Sequence, residues 1–163
     1  MSTLIYVETT IPNFYTETRT DADVQVRKQW TREWWHAEKL DTVLVTSAVV
    51  VEELEALPDP ARRREALDLI RPLQQFEHTA EVGEIVNVYL QHKLMPADLL
   101  GDADHLALAS LHGCDILVTW NCRHLANANK LAHIRRVNAL LGFQTPALVT
   151  PLELLGKDPN EEA

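Results

Sequence analysis

Apolar runs rich in β-branched residues alternate with stretches of helical periodicity along the whole chain, a pattern that predicts a parallel sheet covered by helices. Leu4 to Val7 reads as a first strand, and about Ala22 to Leu40, carrying Trp30, Trp34 and Trp35, as a helix or helical hairpin. Thr42 to Thr46 reads as a second strand. Ser47 stands at the N-cap of a helix ending near Pro58, and Pro60 lies beside the start of another, Ala61 to Ile70. A short strand around Phe76 to Thr79 precedes a helix from Ala80 to His92. Pro96 and Gly101 frame the loop before a helix from Asp102 to His112, which Gly113 closes. Asp115 to Thr119 is the most strand-like run and leads into the polar turn Trp120 to His124. A helix from about Ala126 to Leu141, stopped by Gly142, and a last strand, Ala147 to Thr150, lead to a terminal helical turn.

No repeat, low-complexity tract or linker divides this pattern, so the expectation is a single domain over residues 1–156 with a frayed polar tail, 157–163. With 163 residues, 46% of them hydrophobic, one domain of this size builds its own core and needs neither disulfides nor a structural metal. Cys114 and Cys122 are too few for a disulfide framework and read as reduced thiols of a cytoplasmic protein. The opening residues carry neither a basic start nor a long apolar run, so neither export nor a membrane span is expected. The net charge of −9 argues against nucleic-acid binding through a broad positive field, so any such contact must be local.

In open parallel sheets the functional crevice lies at the carboxyl ends of the strands, so polar residues just after strands are the first candidates for chemistry. Glu8 follows the first strand directly. In the helix after Ser47, Val50, Val51, Leu54 and Leu57 form the core-facing stripe. At about 100° per residue, Glu52 falls nearly opposite it, Glu55 points outward, and Glu53 lies at its edge, facing a cleft. Solvated helix faces account for Glu52 and Glu55, and taken alone for Glu53 as well. Asp102 shares a face with Leu106 and Ala109, with Ala103 beside it. These small residues let the helix approach the sheet and carry Asp102 toward the strand ends, while Asp104, about 200° round, cannot join it. The ordinary role for Asp102 is an N-cap, and for His105, one turn on, packing in the core rather than contact with substrate.

Glu8, Glu53 and Asp102 would then place three carboxylates at one end of one sheet. Such crowding raises the acids' pKa values unless a cation offsets the repulsion, and hard oxygen ligands suit Mg²⁺ or Mn²⁺. A cation so held activates water against a phosphodiester.

Tyr6-Val7-Glu8-Thr9-Thr10, Thr46-Ser47 with Glu53-Leu54, Asp102-Ala103 with His105-Leu106-Ala107, and Thr119-Trp120-Asn121 resemble, in order and spacing, the motifs of PIN domains, and most closely those of compact VapC-like toxins. The resemblance spans nearly the whole chain. It implies a three-layer α/β/α sandwich around a parallel sheet of about five strands, a Mg²⁺ or Mn²⁺ site, endoribonuclease action on RNA, a small antitoxin partner and a homodimer. Glu53 and Asp102 match the family's acids, and Glu8, Glu53, Asp102 and Asn121 form the implied metal and catalytic set. Glu8 stands where the family usually has aspartate, which lengthens the reach by one methylene. Asn121 stands where it usually has a fourth acid, which keeps an oxygen and loses a charge. Thr10, Ser47 and Thr119 resemble the hydroxyls that orient those acids.

Local basic groups for phosphate are Arg62 to Arg64, Arg123 with Lys130, and Arg135 with Arg136; most such groups are solvated helix faces. Trp120 and His124 flank Asn121 and are candidates to stack on an unpaired base, although Trp120 equally suits packing at the sheet edge. The competing functional class is a PIN module that binds RNA or protein without cutting. An unrelated hydrolase or receiver domain lacks its own motif, since no glycine-rich phosphate loop or nucleophile elbow follows any strand.

Overall fold

The computed structural model describes residues 2–98 and 100–156, so the tail expected at 157–163 lies outside the described residues. The elements run β1 (Thr3–Val7), α1 (Thr10–Tyr15), α2 (Ala22–His36), β2 (Thr42–Ser47), α3 (Ala48–Glu55), α4 (Pro60–Ile70), β3 (Gln74–Phe76), α5 (Ala80–Gln91), α6 (Leu100–Leu111), β4 (Ile116–Val118), α7 (Ala128–Leu140), β5 (Ala147–Val149) and α8 (Pro151–Leu155). The five strands lie in the order β3-β2-β1-β4-β5 and every pairing is parallel. Helices cover both faces, so the α/β/α sandwich expected from the alternation is the architecture observed.

The strand pleat sorts the core into two layers, because successive side chains point to opposite faces. Leu4 and Tyr6 of β1, Val45 of β2 and Leu117 of β4 face the layer built by α3 to α7. Ile5 and Val7, with Leu44, Ile116 and Val118, face the opposite layer, where Ile11 of α1, Trp34 of α2 and Leu154 of α8 cover them. Ala103, Ala107 and Ala109 of α6 are fully covered, the close approach to the sheet that small residues permit.

Topology sets the position of the site. The chain winds outward from β1 through β2 to β3, then returns to the other side of β1 to build β4 and β5. The carboxyl ends of β1 and β4 therefore flank the topological switch point, where adjacent connections leave in opposite directions and open a crevice.

Several boundaries differ from expectation for identifiable reasons. The segment over 22–40 is one helix ending at His36, where Lys39 Nζ donates to the carbonyls of Trp35 and Ala37. The third strand is Gln74–Phe76 rather than 76–79. Pairing with Val45–Ser47 fixes its register, and Thr79 is used as the N-cap of α5, accepting from Val82 N. Helix α6 begins at Leu100, so Asp102 lies in its first turn and is not the N-cap. Ser47 does cap α3, accepting from Val50 N at 3.3 Å. Gly113 and Gly142 follow α6 and α7 with φ of +65° and +82°, values that favour glycine at helix ends. Both cysteines are free thiols. Among the described residues no helix is long and apolar enough to cross a membrane.

Helix α1, unforeseen in the sequence, is tied down by ions. The Arg62 guanidinium of α4 donates to Asn13 O at 2.8 Å, to Thr16 Oγ1 at 3.3 Å, to Glu17 Oε2 at 3.2 Å and to the Asn13 side chain. Glu17 also accepts from Thr18 N, Arg19 N and the Arg19 side chain. Burial opposes its charge, yet these donors and Arg62 outweigh that and hold its carboxyl below the ordinary 4.5.

Two outcomes follow. Ala107→Leu overfills the seam between α6 and the sheet and is expected to lower stability by about 1–3 kcal/mol, read as a lower urea midpoint at unchanged slope. A folded-state pKa depressed below the unfolded value contributes stability that is present above that value and lost as pH falls through the folded pKa. The stability gap between the natural chain and Glu17→Gln is therefore expected to be full above about pH 4.5 and to close at lower pH, measured by urea unfolding across pH.

Candidate active site

Glu8 leaves the end of β1 directly at the switch point and is 4% exposed. Its two carboxylate oxygens share the Thr10 N–H at 3.0 Å each, and Oε2 also accepts from Thr119 Oγ1 at 3.2 Å. Thr119, just beyond β4, receives Asn121 N at 2.9 Å. The backbone of Trp120 in turn donates to Thr10 Oγ1 at 2.8 Å. The ends of β1 and β4 are thus laced together around one carboxylate. Each carboxylate oxygen has two lone pairs, so this lacing leaves acceptor capacity on Glu8.

Glu53 approaches from α3. Its Oε1 lies 2.5 Å from His105 Nε2 and accepts from Thr9 Oγ1 at 3.1 Å, while its side chain stays 40% exposed. His105 is 2% exposed, and its other ring nitrogen lies 2.7 Å from the Tyr6 hydroxyl, which in turn lies 2.7 Å from Ser47 Oγ. Two directions of donation satisfy the chain, and both place Nε2–H on Glu53: Ser47 to Tyr6 to an unprotonated Nδ1, which leaves the imidazole neutral, or Nδ1–H to Tyr6 to Ser47, which makes it cationic.

The electrostatics favour the protonated ring. Burial works against a charged His105, but the Glu53 hydrogen bond and the charges of Glu8, Glu53 and Asp102 outweigh it and raise its pKa. Burial raises the Glu8 carboxyl, and the neighbouring Glu53 charge adds to this, against the opposing pull of His105 and the Thr10 bonds. Glu53 is itself partly desolvated, yet its bonds from His105 and Thr9 bring its carboxyl below the ordinary value. The two acids therefore shift in opposite directions, Glu8 chiefly because it is buried and Glu53 because His105 and Thr9 bond it.

Asp102 lies in the first turn of α6, and its charge acts on His105 and on Lys130 of α7. Glu53 reaches that turn: a Cβ built on Gly101 would lie 3.4 Å from Glu53 Oε2, in ordinary contact, so the carboxylate lies directly over the start of α6. Asn121 stands in the turn after β4, where its Oδ1 accepts from His124 N at 3.0 Å. Among the described residues no three His, Cys, Asp or Glu side chains stand together as a formed ligand set. The donor chemistry nonetheless fits a hard divalent ion: carboxylate oxygens from the buried Glu8 and from the partly exposed Glu53, which lies over the helix start that carries Asp102.

Other candidates resolve into structure. Glu52 and Glu55 are exposed, and Asp104 faces away to pair with His78 at 2.9 Å. Trp120 packs: its Nε1–H donates to Thr31 Oγ1 at 2.7 Å, and its ring stacks on Trp30 and tilts against Phe14. Trp34 is a core residue. The polar chain through Tyr6 and His105, and the role of Thr9, escaped the sequence reading. Their only signal was a tyrosine and a histidine at core-facing positions without an apolar substitute's freedom from hydrogen bonding. A concavity of about 610 Å³ along the outer side of α2, near Lys28, Arg32 and His36, contains none of the candidate acids.

No protein-family model and no curated protein sequence matches the chain. Among solved structures it is similar to VapBC2 from Rickettsia felis bound to a DNA fragment from their promoter, at 15% identity and a TM-score of 0.49, covering 90% of this chain and 96% of that one. It is also similar to FitAcB from Neisseria gonorrhoeae, at 15% identity and a TM-score of 0.50, covering 72% of this chain and 88% of that one. At such identity the likeness to FitAcB is one of fold, and the fold of this chain is a PIN-like α/β/α sandwich.

Proposed function

We propose that this chain is a divalent-metal-dependent endoribonuclease acting in the cytoplasm, the toxin of a type II toxin-antitoxin pair, working as a homodimer held in check by a small antitoxin protein. The observation that carries the reading is the meeting of Glu8, Glu53 and His105 at the switch point, beside the helix start that bears Asp102. The motif resemblance and the fold shared with FitAcB support it.

In this reading Glu8, Glu53 and Asp102 hold Mg²⁺ or Mn²⁺. When bound, such an ion binds a phosphate oxygen, lowers the pKa of an attacking water and offsets charge on the leaving oxygen. The chain's own residues do the rest. Thr10 and Thr119 fix the Glu8 carboxylate in one orientation. His105, itself held by Tyr6, fixes Glu53 and supplies a compensating charge to the acids. Asn121 orients the set indirectly, since its backbone N–H holds Thr119.

Two features favour a second reading, a PIN module that binds RNA or protein without cleavage. Asn121 brings no fourth charge and commits its side-chain oxygen to the turn, and Glu8 is bound on both oxygens by its own chain. Cleavage of a panel of single-stranded and looped RNAs with millimolar Mn²⁺ decides between them. Asp102→Asn is expected to lose more than the roughly 10–100-fold typical of a supporting partner, with its thermal unfolding retained. Equal cleavage by that variant contradicts the nuclease reading, and no cleavage by the natural chain leaves the binding module.

A further inference from the structure

Most of the basic groups that suit phosphate are accounted for elsewhere in the fold. Arg62 is taken up by α1, Arg63 donates to the carbonyl of Leu57, and Arg64, Arg135 and Arg136 lie exposed on helix surfaces. Lys130 is different. It stands half-buried in the first turn of α7, and a chain of hydrogen bonds ties it to the candidate acids. Its Nζ donates to His124 Nδ1 at 3.3 Å, and the His124 amide donates to Asn121 Oδ1 at 3.0 Å. The Asn121 amide donates to Thr119 Oγ1 at 2.9 Å, and Thr119 Oγ1 to Glu8 Oε2 at 3.2 Å. An ammonium group has three N–H donors and no acceptor, so two remain for a ligand.

Stability does not explain this placement. The first turn of a helix disfavours positive charge. Burial opposes the Lys130 charge, Asp102 supports it through space, and Arg123 repels it. Among the described residues no carboxylate forms an ion pair with it. The side chain opens instead on a pocket of about 430 Å³, lined also by Met95, Pro96 and Ala97, which lead toward α6. The crevice is thus polarised. Glu8, Glu53 and Asp102 come from β1, α3 and α6, whereas the turn after β4 contributes the uncharged Asn121, Arg123 and, through His124, Lys130. A phosphodiester under attack holds negative charge on its nonbridging oxygens, and a fixed positive group stabilises that charge where it develops.

We propose that Lys130 is a catalytic residue, its ammonium holding a nonbridging oxygen of the scissile phosphate from the β4 side while the acids act from the other. The proposal rests on the nuclease reading of the same site and adds a residue to it. In hydrolysis the water oxygen bonds to phosphorus, and the bond from phosphorus to the leaving ribose oxygen breaks with its electron pair. One water proton ends on that oxygen and the other leaves from the new phosphate group. Lys130 contributes charge only and gives up no proton.

The test is single-turnover cleavage by the full chain with millimolar Mn²⁺ on the RNA that the natural chain cuts best, with Mn²⁺-dependent thermal stabilisation measured alongside. Lys130→Gln is expected to lower the maximal rate about 100–1,000-fold and to leave the half-saturating concentration within about threefold. Its melting temperature in EDTA and its stabilisation by Mn²⁺ should match those of the natural chain. A contact to a flanking phosphate would instead raise the half-saturating concentration at an unchanged maximal rate. Lys130→Arg should restore most of the rate, and Arg136→Gln should lose none. An undiminished rate in Lys130→Gln, a change confined to half-saturation, or loss of the Mn²⁺ response in that variant overturns the role of Lys130 and leaves the nuclease reading standing. No cleavage by the natural chain removes both.

Discussion

A carboxylate that is almost fully buried at the head of the central strand, beside a second carboxylate, is the constraint around which this molecule is arranged. Removing Glu8 from water disfavours its charge, and Glu53 adds repulsion. The surrounding groups answer that cost one by one: the Thr10 amide, the Thr119 hydroxyl, and the imidazole of His105 in the field of both acids. A core lined only by aliphatic residues would be easier to build, since burying charge stabilises a fold poorly unless every partner is in place. Under the proposed function the arrangement serves chemistry at the surface of the crevice rather than stability.

The fold supplies what the acids need. Outward and return winding of the sheet bring the ends of β1 and β4 together, so Glu8 and Thr119 meet although 111 residues separate them. Small residues in α6 bring His105 close enough to reach Tyr6 on β1 and Glu53 on α3 at once. Arg62 fastens α1 to α4 and so holds Thr9 and Thr10, which stand at the start of α1, over the same crevice. These links join elements far apart in sequence. The site is therefore a product of tertiary packing, with no single loop able to form it.

Periodicity made the sheet and most helices visible, because an alternation of period two and a stripe of period 3.6 are written directly in the apolar positions. The same helical arithmetic separated Glu53 from Glu52 and Asp102 from Asp104, and the structure places Asp104 against His78, away from the acids. Helix α1 escaped because six residues are too few to show a period, and Thr9-Thr10-Ile11 continues the β-branched pattern of the strand before it. The third strand was displaced because its register is set by a neighbour distant in sequence, while Thr79 serves as a cap. Tyr6 and His105 were hidden for a related reason. Each occupies a core-facing position, and only three-dimensional contact reveals that they form a hydrogen-bonded chain to Glu53 and Ser47.

The central claim is that the acids at the switch point form one cation site, and its most direct measurement is thermal unfolding under Mn²⁺ titration. An ion held by the native state stabilises it by mass action, about 2.7 kcal/mol at a hundredfold excess over Kd. The melting temperature of the natural chain and of Asp104→Asn should rise together by several degrees, roughly 2–8 °C. Glu53→Gln and Asp102→Asn should show little rise. A flat response in the natural chain, or an undiminished one in Asp102→Asn, would contradict the account.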